Sequence, residues 1–144
     1  MYKKRLLIGL LCFLALMVIP QVANAATMTS CATDKDAYKQ GETCLVYVTI
    51  FNDENAKIRV TQLSSTIDYY TTDDVRYLQK SFTSTELPDE IPAGESVTYQ
   101  ISIDLPDNIA PGYTNPKVEA TTEIWRAFDS KWVSSDYLNS DYMT

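Results

Sequence analysis

At 144 residues, the chain is one domain's worth, with enough apolar material for a modest core. Its 12 Lys and Arg against 19 Asp and Glu give a net charge of −7, and a field of that sign repels nucleic acid and anionic lipid, excluding both as partners. It contains no histidine, which removes the usual base of nucleophilic catalysis and leaves zinc short of ligands for a nitrogen and sulfur site.

Residues 1–25 read as a secretory signal peptide. Lys3, Lys4 and Arg5 form a charged start, Leu6 to Ile19 is almost wholly apolar, and Ala23-Asn24-Ala25 places small residues where a signal peptidase reads them. Cleavage is expected after Ala25. Retention as an anchor is disfavoured because spanning a bilayer takes about 20 apolar residues, more than Leu6 to Ile19 supplies. A lipoprotein reading through Cys12 fails because Leu11 precedes it and the apolar run continues past it. Residues 26–144 then hold nine basic and 19 acidic side chains, a net charge of −10, and form a domain that does not span the membrane.

From there the chain alternates short β-branched and aromatic runs with Gly, Pro, Asp and Asn clusters. Met28 to Thr33 reads as a first strand, ended before the Gly41-Glu42 turn. Thr43 to Phe51 is apolar on both faces, so it belongs in the middle of a sheet. Ile58 to Asp68 carries Ile58 and Val60 in one register but Leu63 and Ile67 in the other, which requires a bulge near Gln62. Val75 to Phe82 is the fourth strand. Ser96 to Leu105 shows the cleanest alternation, with Val97, Tyr99, Ile101, Ile103 and Leu105 on one face. Lys117 to Ala127 and Lys131 to Leu138 complete seven, a count and spacing that fit an all-β, immunoglobulin-like sandwich. Gly41 and Gly94 fall where the chain reverses and are expected at positive φ.

Two cysteines follow the leader, Cys31 and Cys44. In an exported chain a close pair is expected to form a disulfide, worth roughly 3 kcal/mol on the chain-entropy model.

Tyr38-Lys39-Gln40-Gly41-Glu42-Thr43, followed by Val46, Val48, Ile50 and a terminal Asn52, resembles the opening of prokaryotic cell-surface immunoglobulin-like domains, including the adhesion-type module CARDB and surface-layer-associated repeats. Ile91-Pro92-Ala93-Gly94-Glu95-Ser96 and then Ala110-Pro111-Gly112-Tyr113 resemble the second half of that pattern. Arrestin-like sandwiches share a similar layout, and the two stay open as alternatives. The resemblance implies an adhesive or spacer module without catalytic residues. This chain departs from it as a single copy and in Pro116, which interrupts the segment after Tyr113. Tyr113 itself is either a tyrosine corner tied to a loop carbonyl or a surface tyrosine.

No catalytic residue is assigned, and no cofactor. Carboxylates in or beside loops (Asp34 and Asp36, Asp73 and Asp74, Asp89 and Glu90, Asp104 and Asp107) raise calcium as an alternative, but solvated loop acids are the reading adopted. The aromatic candidates are Trp125 and Trp132. With a two-residue turn at Asp129-Ser130, Ala127 would pair with Trp132 and Trp125 with Ser134, placing the tryptophans diagonally on a face shared with Lys117, Glu119, Thr121, Glu123, Ser134 and Asp136. Two tryptophans on a polar face suggest a platform for a sugar ring or a partner's apolar anchor. The sequence therefore predicts a secreted or envelope-exposed, non-catalytic binding or adhesion module with a protein or glycan partner; the alternative is a self-associating structural or accessory subunit of a surface assembly.

Overall fold

A computed structural model describes residues 26–71, 75–83, 87, 90–110 and 116–140. The leader, Tyr113, Asp73, Asp74 and Asp89 lie outside the described residues. Seven strands are described: β1 Thr27–Thr33, β2 Thr43–Phe51, β3 Ile58–Tyr70, β4 Val75–Thr83, β5 Ser96–Asp104, β6 Lys117–Arg126 and β7 Lys131–Asn139. They form two antiparallel sheets in the orders β1-β2-β5 and β4-β3-β6-β7. The architecture is an all-β, β-sandwich-like stack over one core.

Alternation builds that core. Along β2, Cys44, Val46, Val48 and Ile50 are buried while the residues between them are not, and β5 repeats the pattern with Tyr99, Ile101 and Ile103. From the other sheet come Ile58, Val60, Leu63 and Ile67 of β3, Val118 and Ala120 of β6, and Leu138 of β7. Each fully buried aliphatic side chain contributes roughly 1.5–3 kcal/mol. Truncating a central one, such as Ile101→Ala, would cost about 2–5 kcal/mol with its cavity.

The expected bulge in β3 is present: the register against β6 shifts between Val60 and Gln62, which lets Val60 and Leu63 both point inward. A second bulge lies between β6 and β7, where Thr121 pairs with Tyr137 but Glu123 with Ser134. Ser135 and Asp136 thus share the space opposite Thr122, whose hydroxyl accepts from the Asp136 amide at 3.0 Å. Gly41 and Gly94 have φ of 72° and 77°, as their turn positions require.

Asn52, fully buried just past β2, ties two turns together. Its Nδ2 donates to the carbonyls of Ala56 and Ile91, both at 2.9 Å, and its Oδ1 accepts from the Glu54 amide at 3.0 Å. Its backbone bonds to Glu95 and Gly94 in the turn before β5. At the edge of the stack, the Ala26 amide donates to Asp136 Oδ2 of β7 at 3.1 Å, linking the start of β1 to the opposite sheet.

The expected Cys31–Cys44 disulfide is not formed; both cysteines are free. Register explains why. Cys31 pairs with Val48, four residues from Cys44 along β2, so the two are separated by about 13 Å at ~3.3 Å per residue. A disulfide tolerates a Cα separation of no more than about 7 Å. Burial raises the pKa of both thiols, which makes them inert rather than reactive.

Candidate functional site

The end of the β6–β7 hairpin gathers the aromatic candidates. The turn is four residues long, Ala127 to Ser130, and Arg126 pairs with Lys131. This corrects the expected two-residue turn and moves the register by two: Trp125 lies directly opposite Trp132 rather than diagonal to it. Their rings meet edge to face, with centroids 5.4 Å apart and planes at 65°, a geometry worth about 0.5–1.5 kcal/mol beyond area burial. Ser130 takes φ of 51° to close the turn. The bulge in β7 also takes Asp136 off the expected face: Glu123, which the two-residue turn would set opposite Asp136, pairs with Ser134, and Thr121 pairs with Tyr137.

The tryptophans are half-buried, and cations of the neighbouring segment stand over them. Lys57 Nζ lies 5.1 Å from the Trp125 ring centre and 5.4 Å from that of Trp132. The Arg59 guanidinium lies 4.5 Å from the Trp132 centre. The cause is register: Arg59 pairs with Glu123 across β3 and β6, and the Trp125 amide donates to the Lys57 carbonyl at 3.0 Å. Each cation is held by an acid. Lys57 reaches both oxygens of Glu90 at 2.7 and 2.8 Å, and Arg59 pairs with Glu123 at 2.6 Å. The surface is therefore mixed aromatic and cationic, not a bare apolar platform.

Beyond the tryptophans, Arg126 grips Asp129 with two hydrogen bonds, and Lys131 joins the same carboxylate at 3.0 Å. The hydrogen bond from Arg126 holds the Asp129 carboxyl below its ordinary range and pushes the guanidinium up. The Arg126 guanidinium also lies 4.9 Å from the ring centre of Phe128. Phe128 is 84% exposed, the most exposed large hydrophobic residue described. Sequence reasoning missed it because its position at a tip depends on the turn length. A side chain rotating freely would lose entropy on binding; here the hairpin beneath it is braced by a cross-strand aromatic pair and a three-member ion cluster.

Three of the loop carboxylates, Asp34, Asp104 and Glu90, are engaged within the protein. Asp34 accepts from the Tyr38 hydroxyl and from the Leu45 amide, and the Tyr38 bond holds its carboxyl below the usual range. Asp104 accepts from Thr43 at 2.8 Å, and Glu90 is engaged by Lys57. Among the described residues no group of three or more acids, cysteines or histidines could hold a metal ion, and no helix is long and apolar enough to cross a membrane.

The fold thus defines a β-sandwich-like, all-β protein with an aromatic and cationic hairpin end. No family model and no curated protein matches the chain. Among solved structures it is similar to the sporulation control protein Spo0M from Bacillus subtilis, with 19% identity over 81% of this chain and 47% of that one, at a TM-score of 0.46. It is also similar to Bacteroides uniformis β-glucuronidase 2, with 12% identity over 82% of this chain and 12% of that one, at a TM-score of 0.25.

Proposed function

We propose that the protein is a secreted or cell-envelope, non-catalytic binding module with an immunoglobulin-like fold, cleaved after Ala25 and using its β6–β7 hairpin end to contact a protein partner. The observation that carries this reading is Phe128, a large aromatic side chain held in solvent on a braced turn beside Trp125 and Trp132. Exposed aromatics flanked by arginine are the residues that anchor interfaces. The cations over the two tryptophans are already paired with Glu90 and Glu123, so the apolar ring of Phe128 rather than free charge is what this end offers a partner.

The strand order supports the immunoglobulin-like assignment. The first, second and fifth strands share one sheet and the third, sixth and seventh the other, as in that fold; the fourth pairs with the third instead of the fifth. Cell-surface adhesion is the role that the resemblance of the Gly41-Glu42 and Gly94-Glu95 segments implies.

The test is binding of purified 26–144 to envelope fragments of the source cells, followed by surface plasmon resonance. Phe128→Ala is expected to weaken binding at least about tenfold, the ~1.4 kcal/mol of a modest hot spot, with the melting temperature unchanged. Undiminished binding refutes the hairpin as contact surface. A dimer in sedimentation that dissociates in the same variant would favour a self-associating subunit.

A further inference from the structure

The bond between Ala26 and Asp136 places a carboxylate where an amide needs only a neutral acceptor. Ala26 is 2% exposed, and its nitrogen donates to Asp136 Oδ2 at 3.1 Å. Because Thr27 pairs with Phe51, Ala26 comes level with the residues that follow β2, among them Asp53 and Glu54. The Glu54 carboxyl is pushed above its ordinary range first by burial, then by the negative charges of Asp136 and Asp53. Asp53 beside it in the chain and Asp136 of β7 therefore both lie within electrostatic reach of Glu54. Asp53 Oδ1 is buried without a hydrogen-bond partner, and among the described residues none of the three acids belongs to an ion pair. The acids around the tryptophan pair and the hairpin turn, Glu90, Glu123 and Asp129, by contrast, each hold a cation.

The cluster lacks one positive charge, and the sequence carries the means to make it. Ala23-Asn24-Ala25 is a small-residue cleavage signal ending one residue before Ala26. Hydrolysis of the Ala25–Ala26 peptide bond by a signal peptidase adds water across it, leaving a carboxylate on Ala25 and an amine on Ala26 that takes up the proton. We infer that Asp136, with Asp53 and Glu54, is the receptor for the α-ammonium group of Ala26, so that removal of the leader completes an ion pair locking β1 to β7. The pairing rests on the proposed cleavage after Ala25.

An α-amino group has an ordinary pKa of about 7.7–8.0, and pairing with carboxylates raises it in the folded state. Its stabilisation is complete below the ordinary value and is lost as pH rises through the raised one.

The entire described core lies within 26–138, so the test uses 26–144 with a free Ala26 amine, the same chain Nα-acetylated, and Asp136→Asn in both forms. Acetylation keeps the N–H donor and removes only the charge. It is expected to lower the melting temperature by about 3–8 °C at pH 6 and to have little effect at pH 10.5. By NMR the free α-amino group should titrate at least about one pH unit above its ordinary range, and in the Asp136→Asn background the melting difference between the two N-terminal forms should shrink to less than half of its wild-type size, an undiminished difference overturning Asp136 as the main receptor. Equal melting of the free and acetylated wild-type chains, or an α-amino pKa of about 8 or below, overturns the receptor. Sequencing the exported product separately tests the cleavage: a start other than Ala26 refutes the processing step, whatever the titration shows.

Discussion

Asn52 offers the sharpest test of how the sandwich holds its turns. Asn52→Ala removes three side-chain hydrogen bonds, each worth about 1 kcal/mol net. The Ile91 carbonyl keeps a second donor in the Ile58 amide, but the Ala56 carbonyl and the Glu54 amide lose this partner. The sum is a loss of about 3–4 kcal/mol, independent of pH. Asn52→Asp has the same shape but sets an oxygen against the two carbonyls that Nδ2 now serves. Folding then favours the protonated acid, so its folded pKa lies above the unfolded value of about 3.9. The native state binds more protons, and stability falls as pH rises from about 4 through the raised value, by ~1.4 kcal/mol for each pH unit separating the two. Urea unfolding of wild type and both variants at pH 4 and 7 reads this directly. A cost below about 1 kcal/mol for Asn52→Ala, or an Asn52→Asp deficit that does not widen with pH, would refute the hub.

Three further outcomes are expected. Burial pushes the Tyr99 hydroxyl up to about 12, and that hydroxyl has no hydrogen-bond partner; Tyr99→Phe should leave thermal stability unchanged or raise it, and a loss above about 1 kcal/mol would show that the hydroxyl is bonded after all. Gly41→Ala and Gly94→Ala both force a Cβ into positive φ at about 1–2 kcal/mol; the Asp107 carboxylate oxygen that a Cβ at Gly41 would meet is the end of an exposed side chain that can turn aside, so in denaturant melts the two variants should cost about the same, and a cost below about 0.5 kcal/mol for either would refute the strain. Denatured 26–144 treated with iodoacetamide without reductant should gain two adducts by mass spectrometry, one each at Cys31 and Cys44, whereas a chain gaining none would carry the disulfide after all.

The strands were legible because each run obeys one physical rule. Ile101 and Ile103 alternate with Ser102 and Asp104, so Ser96–Asp104 had to be half-buried, and the phase change from Val60 to Leu63 marked the bulge in β3 from the residues alone. Thr43–Phe51, apolar on both faces, took the middle of its sheet. What failed was whatever depended on register between segments. Asp129-Ser130 contains no glycine to fix the turn, and the longer loop wins by setting Trp125 against Trp132 and Arg126 against Asp129. Cys31 and Cys44 looked close along the chain, but the valines of β2 dictate which residue β1 meets, and that residue is Val48. Asn52 was visible as a strand terminus, yet its purpose comes from Ile91, 39 residues away.

The Ala26–Asp136 contact joins residues 110 apart in sequence, which bears on the order of assembly. A ribosome delivers β1 well before β7, so the seam between them cannot close until the 110 residues that separate the two have emerged. Until then β2 and β5 can pair while the first strand fastens at one side only. Contacts of such long span make folding slow, and a sandwich that stays unfinished until β7 arrives remains pliable for as long as the strands before it are being made.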